Sequence, residues 1–121
     1  MKKYKTIFCD IDGTIFKYRK FETYKDTTPE LTPGAIEKLS EISQSGHMII
    51  LTTARPESLR EHTIKELKEA SVPYDRLIMD LERGPRYLIN DMDPAKPGIR
   101  AYAFNLIRDE GMQGVTVEES E

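Results

Sequence analysis

The chain has 121 residues, 38% of them hydrophobic and 32% charged, which is the size and balance of one globular domain with a single core. A net charge of -3 gives no global attraction to nucleic acid, so none is expected as a partner unless a local basic patch such as Lys17-Tyr18-Arg19-Lys20 supplies it. No apolar run approaches the ~18 residues of a membrane span, and a single cysteine excludes an internal disulfide, so a cytoplasmic location is expected.

The N-terminal Met-Lys-Lys-Tyr-Lys-Thr has the charge of a signal peptide's start, but Asp10 and Asp12 interrupt the apolar region that should follow. Lys5 to Cys9 has the length of a buried strand that ends on a carboxylate, with Cys9 as a small core residue. Asp10 and Asp12 bracket Ile11, and in extended geometry residues two apart point the same way. Two such carboxylates repel each other unless a hard cation lies between them or one turns away to act as an acid/base. Mg²⁺ suits the first case, because it takes one or two carboxylates and keeps its waters. Alone, Asp-x-Asp-Gly reads equally well as a polar turn. From Ile15 to Glu30, Phe16, Tyr18, Phe21 and Tyr24 are interleaved with Lys17, Arg19, Lys20 and Lys25. Unstructured loops of this length are uncommon in compact domains and often serve as site lids, so a hairpin or flap over about 15–30 is expected.

Thr32-Pro33 has the form of a helix start, with Thr32 as N-cap and Pro33 in the first position. Ala35, Ile36, Leu39 and Ile42 give that helix one apolar face, and Gly46 ends it. His47 to Leu51 is the second buried strand, running into Thr52-Thr53-Ala54-Arg55. Pro56 opens a second helix, with Leu59, Thr63, Leu67 and Ala70 near helical spacing, broken at Val72-Pro73. A third strand is expected from Arg76 to Met79. After a turn at Arg83-Gly84-Pro85, a fourth follows over Arg86 to Ile89 and ends on Asn90-Asp91-Met92-Asp93. Ala101 to Leu106 is the expected fifth, and the tail from Gly111 to Glu121 is polar, with a short strand at Val115–Val117. Alternating strands and helices predict an α/β domain with a mainly parallel, five-stranded sheet. Ligands of such sheets bind beyond the carboxyl ends of the strands. Three of those ends carry Asp10/Asp12, Thr52/Thr53 and Asn90/Asp91/Asp93, and their convergence makes a site.

These residues resemble the haloacid dehalogenase superfamily of phosphohydrolases, from Ile7 to about Asn105. Asp10-Ile11-Asp12-Gly13-Thr14 is similar to the family's Asp-x-Asp-Gly-Thr. Ile49 to Arg55 resembles its apolar strand ending in Thr, and Tyr87-Leu88-Ile89-Asn90-Asp91 resembles its acidic strand end. The resemblance implies a three-layer, Rossmann-like single domain over 1–121 without a cap domain, acting as a Mg²⁺-dependent phosphatase. It implies that Asp10 attacks phosphorus to form an aspartyl-phosphate, and that Asp12 protonates the leaving oxygen and then helps activate water. Asp10, the main-chain carbonyl of Asp12, and Asp91 would hold Mg²⁺. Thr53 would bind the transferring phosphoryl group, with Thr52 as the alternative. The family's basic third-motif residue has three candidates, Arg83, Arg86 and Lys96, of which Arg83 in the loop is preferred. Thr14, Thr52, Arg55, Arg86 and Asn90 complete the expected substrate contacts, although Arg55 reads equally as a helix-start surface residue. Asp93 would bind the metal through water or start the turn toward Pro94.

The implied substrate is a small phosphate ester, a sugar phosphate or nucleotide-type metabolite. Nucleic-acid ends and a catalytically quiet binding module are the alternatives. Capless members accept large substrates or borrow cover from another subunit, which leaves a homo-oligomer open. A phosphorylation-switched receiver domain fits poorly, because it accepts phosphate after its third strand and needs a late Lys where this chain has only Arg108.

Overall fold

The computed structural model describes residues 3–96 and 98–118. Its centre is a parallel three-stranded sheet in the order β1 (Thr6–Asp10), β2 (Met48–Thr52), β3 (Arg76–Ile78). The register pairs Asp10 with Thr52 and Thr52 with Ile78, so the carboxyl ends of all three strands finish level. Parallel neighbours need crossover connections. Helix α1 (Ala35–Gln44) lies between β1 and β2, and a 3₁₀ turn over Glu57–Leu59 runs into α2 (Arg60–Glu69) between β2 and β3.

Apolar spacing explains these elements. Ala35, Leu39 and Ile42 recur at one-turn intervals and are the buried residues of α1. β2 is buried from Ile49 to Thr52, as expected of the central strand. The core joins Ile49 and Leu51 to Ile11, Ile15, Phe16, Leu39 and Leu67. Cys9 lies in it, and burial, with Asp10 as the second cause, pushes its thiol up to about 12, so the group is inert packing. No helix among the described residues is long and apolar enough to cross a membrane.

The structure departs from the sequence expectation in four places. Helix α1 begins after Gly34 rather than at Thr32-Pro33. Gly34 sits at φ 74°, a left-handed conformation that glycine adopts without cost. The second helix opens as 3₁₀ after Pro56 and becomes α-helical only at Arg60. The expected fourth and fifth strands, Arg86 to Ile89 and Ala101 to Leu106, form no strand, and neither does Val115–Val117. Among the described residues the sheet therefore has three strands, and β1 pairs with β2 alone. A strand needs a bonding neighbour as well as apolar side chains. Tyr87, Leu88 and Ile89 are three apolar residues in a row between Pro85 and Pro94, and they lie exposed at 91%, 58% and 92%. Finally, the expected tail is partly anchored: Met112 and Val115 are buried, and the Met112 N–H donates to the Pro33 carbonyl at 2.9 Å. Residues 119–121 of that tail lie outside the described residues.

Candidate active site

Ile11 is fully buried, and this fixes the aspartates on either side of it. With Ile11 committed to the core, its two neighbours are turned toward the strand end. The chain then reverses tightly. The Ile11 carbonyl accepts from the N–H groups of Thr14, Ile15 and Phe16, and Gly13 takes φ 89°. A Cβ at Gly13 would stand 3.1 Å from Cγ of Arg108, so both conformation and space call for glycine here. Beyond the strand ends lies a pocket of about 180 Å³. Asp10, Asp12 and Thr53 form its floor, and Tyr18, Phe21 and Tyr24 of the flap stand over it. Arg83, Arg86 and Arg108 approach from the C-terminal half. A second concavity, of about 330 Å³, lies along α1 between Glu37, Glu41 and Gln113, away from the strand ends.

Asp10 faces this pocket with an oxygen 3.7 Å from Nη2 of Arg86. Burial pushes its carboxyl above the ordinary range, and Asp12 adds to this. The Arg86 charge, a backbone hydrogen bond from Ile11 and the Thr14 side chain pull the other way. Thr53 is 2% exposed; its hydroxyl oxygen accepts the Arg55 N–H at 3.0 Å, which leaves its own O–H to donate. Backbone bonds from Thr53 N–H to the Ile78 carbonyl and from Leu81 N–H to the Thr53 carbonyl brace it against the end of β3.

Asp12 is held from behind. Arg55 Nε and Nη2 donate to its two oxygens at 2.9 and 2.8 Å, a bidentate fork. The same guanidinium donates through Nη1 to Glu66 Oε1 at 2.9 Å and to Thr63 Oγ1 at 3.1 Å. Glu66 in turn accepts both terminal nitrogens of Arg19, at 2.9 and 2.8 Å. His62 Nε2 lies 3.1 Å from Glu66 and 2.9 Å from the Tyr24 carbonyl oxygen. Tyr24 is buried beneath the Arg55 guanidinium, whose centre is 4.2 Å from the ring. Burial first, and then the Asp12 charge, push its hydroxyl up to about 12. Burial alone would raise the Glu66 carboxyl; hydrogen bonds and charge from Arg19 and Arg55 reverse this and hold it below the ordinary range. The flap is thus packed down rather than solvated: Arg19 and Tyr24 tie it to α2 and to Asp12. Its base is closed by Lys17 N–H to the Glu30 carbonyl and Thr32 N–H to the Ile15 carbonyl.

Of the residues singled out from sequence, Asp10, Asp12, Thr53, Arg55, Arg83 and Arg86 come together in this pocket. Thr14 reaches it only through its hydrogen bond to Asp10, and Thr52 is buried in β2 without lining it. Arg86, not Arg83, stands nearest the Asp10 carboxylate. Arg55 is neither a surface residue nor free for substrate. It is 1% exposed, and all three of its nitrogens donate to side chains. Asn90 and Asp91 lie exposed outside the pocket, with Asp91 3.9 Å from Arg100, and Asp93 and Lys96 close a local turn. Sequence reasoning did not single out Arg19, Glu66 or Arg108 for the site. The available sign of Glu66 was a carboxylate three residues after Thr63 and next to Leu67, on the inward arc of α2.

Asp10 is the pocket acid without a buried cation partner, and a carboxylate raised by burial and by a like charge is one that a hard cation would relieve. A hard cation that keeps most of its waters, such as Mg²⁺, would suit Asp10 for that reason. Among the described residues no cluster of three acidic, His or Cys side chains forms a complete cage, and Asp91 does not reach the pocket.

The family model for haloacid dehalogenase-like hydrolases matches residues 7–75, which span both aspartates, Thr53, Arg55 and Glu66. Two solved structures of the Pnkp1/Rnl/Hen1 complex contain similar chains. One is 26% identical with a TM-score of 0.56, covering 72% of this chain and 32% of that one. The other, described as an RNA repair complex, is 28% identical with a TM-score of 0.56, covering 69% and 28%. The chain thus spans about a third of the length of those relatives. A crystal structure of a Vibrio cholerae protein matches at 22% identity and TM-score 0.53, covering 75% of this chain and 85% of that one, which shows a shared fold. No curated protein matches significantly.

Proposed function

This chain is a member of the haloacid dehalogenase-like hydrolases, and from that we propose that it is a Mg²⁺-dependent phosphatase acting through a phosphorylated Asp10. The observation that carries the reading is the pairing at the strand end: one carboxylate, Asp10, open to the pocket, and a second, Asp12, locked behind it by Arg55. Mg²⁺, used generally by the family, would be held by Asp10 and the Asp12 carbonyl, with Asp91 the third ligand the resemblance implies, and would neutralise charge on the phosphoryl oxygens.

An Asp10 oxygen attacks phosphorus, the ester P–O bond breaks, and Asp12, which enters the cycle in its acid form, gives its proton to the departing alkoxide. In the second half, water attacks the acyl phosphate and gives its proton to Asp12, and cleavage of the bond to phosphorus regenerates the Asp10 carboxylate. A carboxylate nucleophile divides one hard displacement into two easier ones. General acid/base help contributes roughly 10²–10⁴-fold. The fixed fork of Arg55 supplies orientation, holding both Asp12 oxygens at 2.8–2.9 Å in the lining of the pocket. In this reading the Thr53 O–H and the Arg86 guanidinium would hold the phosphoryl oxygens; the 3.7 Å approach of Arg86 to Asp10 supports giving it the role first expected of Arg83.

For the substrate, the neighbour described as an RNA repair complex and the arginine-rich pocket favour nucleotide-type esters or nucleic-acid ends over sugar phosphates. Hydrolysis of an aryl phosphate by the wild type and by Asp10→Asn, each with Mg²⁺ and with EDTA, tests the chemistry. Activity is expected only for the wild type with metal. Equal rates for both proteins would refute the nucleophile, and a wild type silent on aryl esters, nucleotides and phosphate-ended oligonucleotides alike would favour the binding module.

A further inference from the structure

The mouth of the pocket carries more positive charge than a phosphate monoester calls for. Inside, Asp12 and Glu66 are matched by Arg55 and Arg19, and Arg86 faces Asp10. Arg83 and Arg108 are left over. Neither has a carboxylate or carbonyl partner among the described residues, and each lies on a flap aromatic. The Arg83 guanidinium is 4.2 Å from the Phe21 ring centre, and that of Arg108 is 4.1 Å from the Tyr18 ring centre. A guanidinium whose carbon lies over a ring and whose N–H groups have no carboxylate or carbonyl acceptor is free to grip an oxyanion.

Arg108 is held in place through its neighbour. The Asp109 N–H donates to the Gly13 carbonyl at 2.9 Å, and Asp109 Oδ1 accepts the Tyr18 N–H at 2.6 Å. These two bonds fix residue 108 relative to both the Asp10–Gly13 turn and the flap. The rest of the lining contains no Asn, Gln or Ser side chain. It offers charged, hydroxyl and aromatic side chains, with the unpaired charge at the mouth positive.

Building on the phosphatase reading, we infer that Arg83 and Arg108 form a second anion subsite. It binds the phosphodiester adjacent to a terminal phosphate, so the substrate is a single-stranded nucleic-acid end. The acidic chain does not oppose this, since affinity for a backbone follows the local groove.

Two measurements test it. The first is fluorescence anisotropy of a labelled hexanucleotide without a terminal phosphate, titrated with wild type, Arg108→Ala and Arg83→Ala over a range of salt. Both arginines are exposed, and thermal melts of the variants check that the fold is retained. Each substitution is expected to weaken binding roughly tenfold, the loss of one charge-assisted contact. Each should also flatten the salt slope by about 0.7, the value for one phosphate on a single strand. The second is kcat/KM for the hexanucleotide bearing a 3′- or 5′-phosphate against the matching mononucleotide. The wild type should prefer the oligonucleotide at one end, and Arg108→Ala should reduce that preference through KM. Binding unchanged by either substitution, or a mononucleotide turned over as efficiently as the oligonucleotide, would overturn the subsite. Arginine-dependent binding without hydrolysis of any ester would uphold the subsite and refute the phosphatase instead.

Discussion

Replacing Glu66 with Ala should destabilise the fold well beyond the loss of an ordinary helix residue. Glu66 accepts three charge-assisted hydrogen bonds of 2.8–2.9 Å, two from Arg19 and one from Arg55. The side chains of Glu66, Arg19 and Arg55 are 7%, 8% and 0% exposed, so water cannot substitute for the lost acceptor. Arg55 would keep Asp12, but the hydrogen bonds left to Arg19 would be those of 3.2 and 3.4 Å to Thr27, beside its ring contacts with Phe16 and Tyr24. Breaking a buried pair from one side typically costs about 3–5 kcal/mol. The partners that Arg55 keeps place this case near the lower end, about 3 kcal/mol, a large share of the ~6–18 kcal/mol expected for a domain of this length. The melting temperature should fall by roughly 10 °C. Urea unfolding of Glu66→Ala, Arg19→Ala and the double variant measures both the cost and the coupling. A loss under about 1 kcal/mol, or single effects that simply add, would show that the network is not the fold's internal brace.

Four further outcomes follow from the same contacts. Glu66 is depressed in the folded state, so its stabilisation is full above the unfolded carboxylate range and fades as pH falls through the folded value. The gap between wild type and Glu66→Gln in urea should therefore narrow in acid. Arg86→Ala removes the charge that lowers Asp10, so the acid limb of the kcat/KM profile should move to higher pH; an unmoved limb would separate Arg86 from the nucleophile. Gly13→Ala forces a side chain into φ 89° against Arg108 and should cost about 1–2 kcal/mol in thermal or urea unfolding. Asp91→Asn lies outside the pocket, yet if Asp91 completes the metal site as the resemblance implies, the Mg²⁺ concentration for half-maximal activity should rise about tenfold or more; an unchanged Mg²⁺ requirement would remove it from the site.

The elements legible in the sequence were those whose burial repeats at a fixed period. The apolar runs before Asp10 and Thr52 and the spacing Ala35–Leu39–Ile42 located β1, β2 and α1 to within a residue or two. The floor of the site was legible because Asp10, Asp12 and Thr53 stand at the ends of apolar runs, although of β1 itself only Cys9 is buried. The brace behind Asp12 was not. Glu66 and Arg19 look like surface charges until a partner 47 positions away in sequence is known, and no apolar pattern records such a pairing. Arg108 escaped similarly, because its place is set by Asp109 bonding to Gly13 and Tyr18. Tyr87-Leu88-Ile89 misled in the opposite direction: an apolar run states that a strand could be buried, not that an edge is there to receive it.

The central claim is that Asp10 carries the phosphoryl group. Acid-quenching the enzyme during turnover of a ³²P-labelled phosphate ester with Mg²⁺, then digesting and mapping the label, tests it most directly. Label on the peptide containing Asp10, lost on hydroxylamine treatment and absent from Asp10→Asn, is the predicted result. Turnover at an undiminished rate by Asp10→Asn, or label on another residue, would contradict the mechanism.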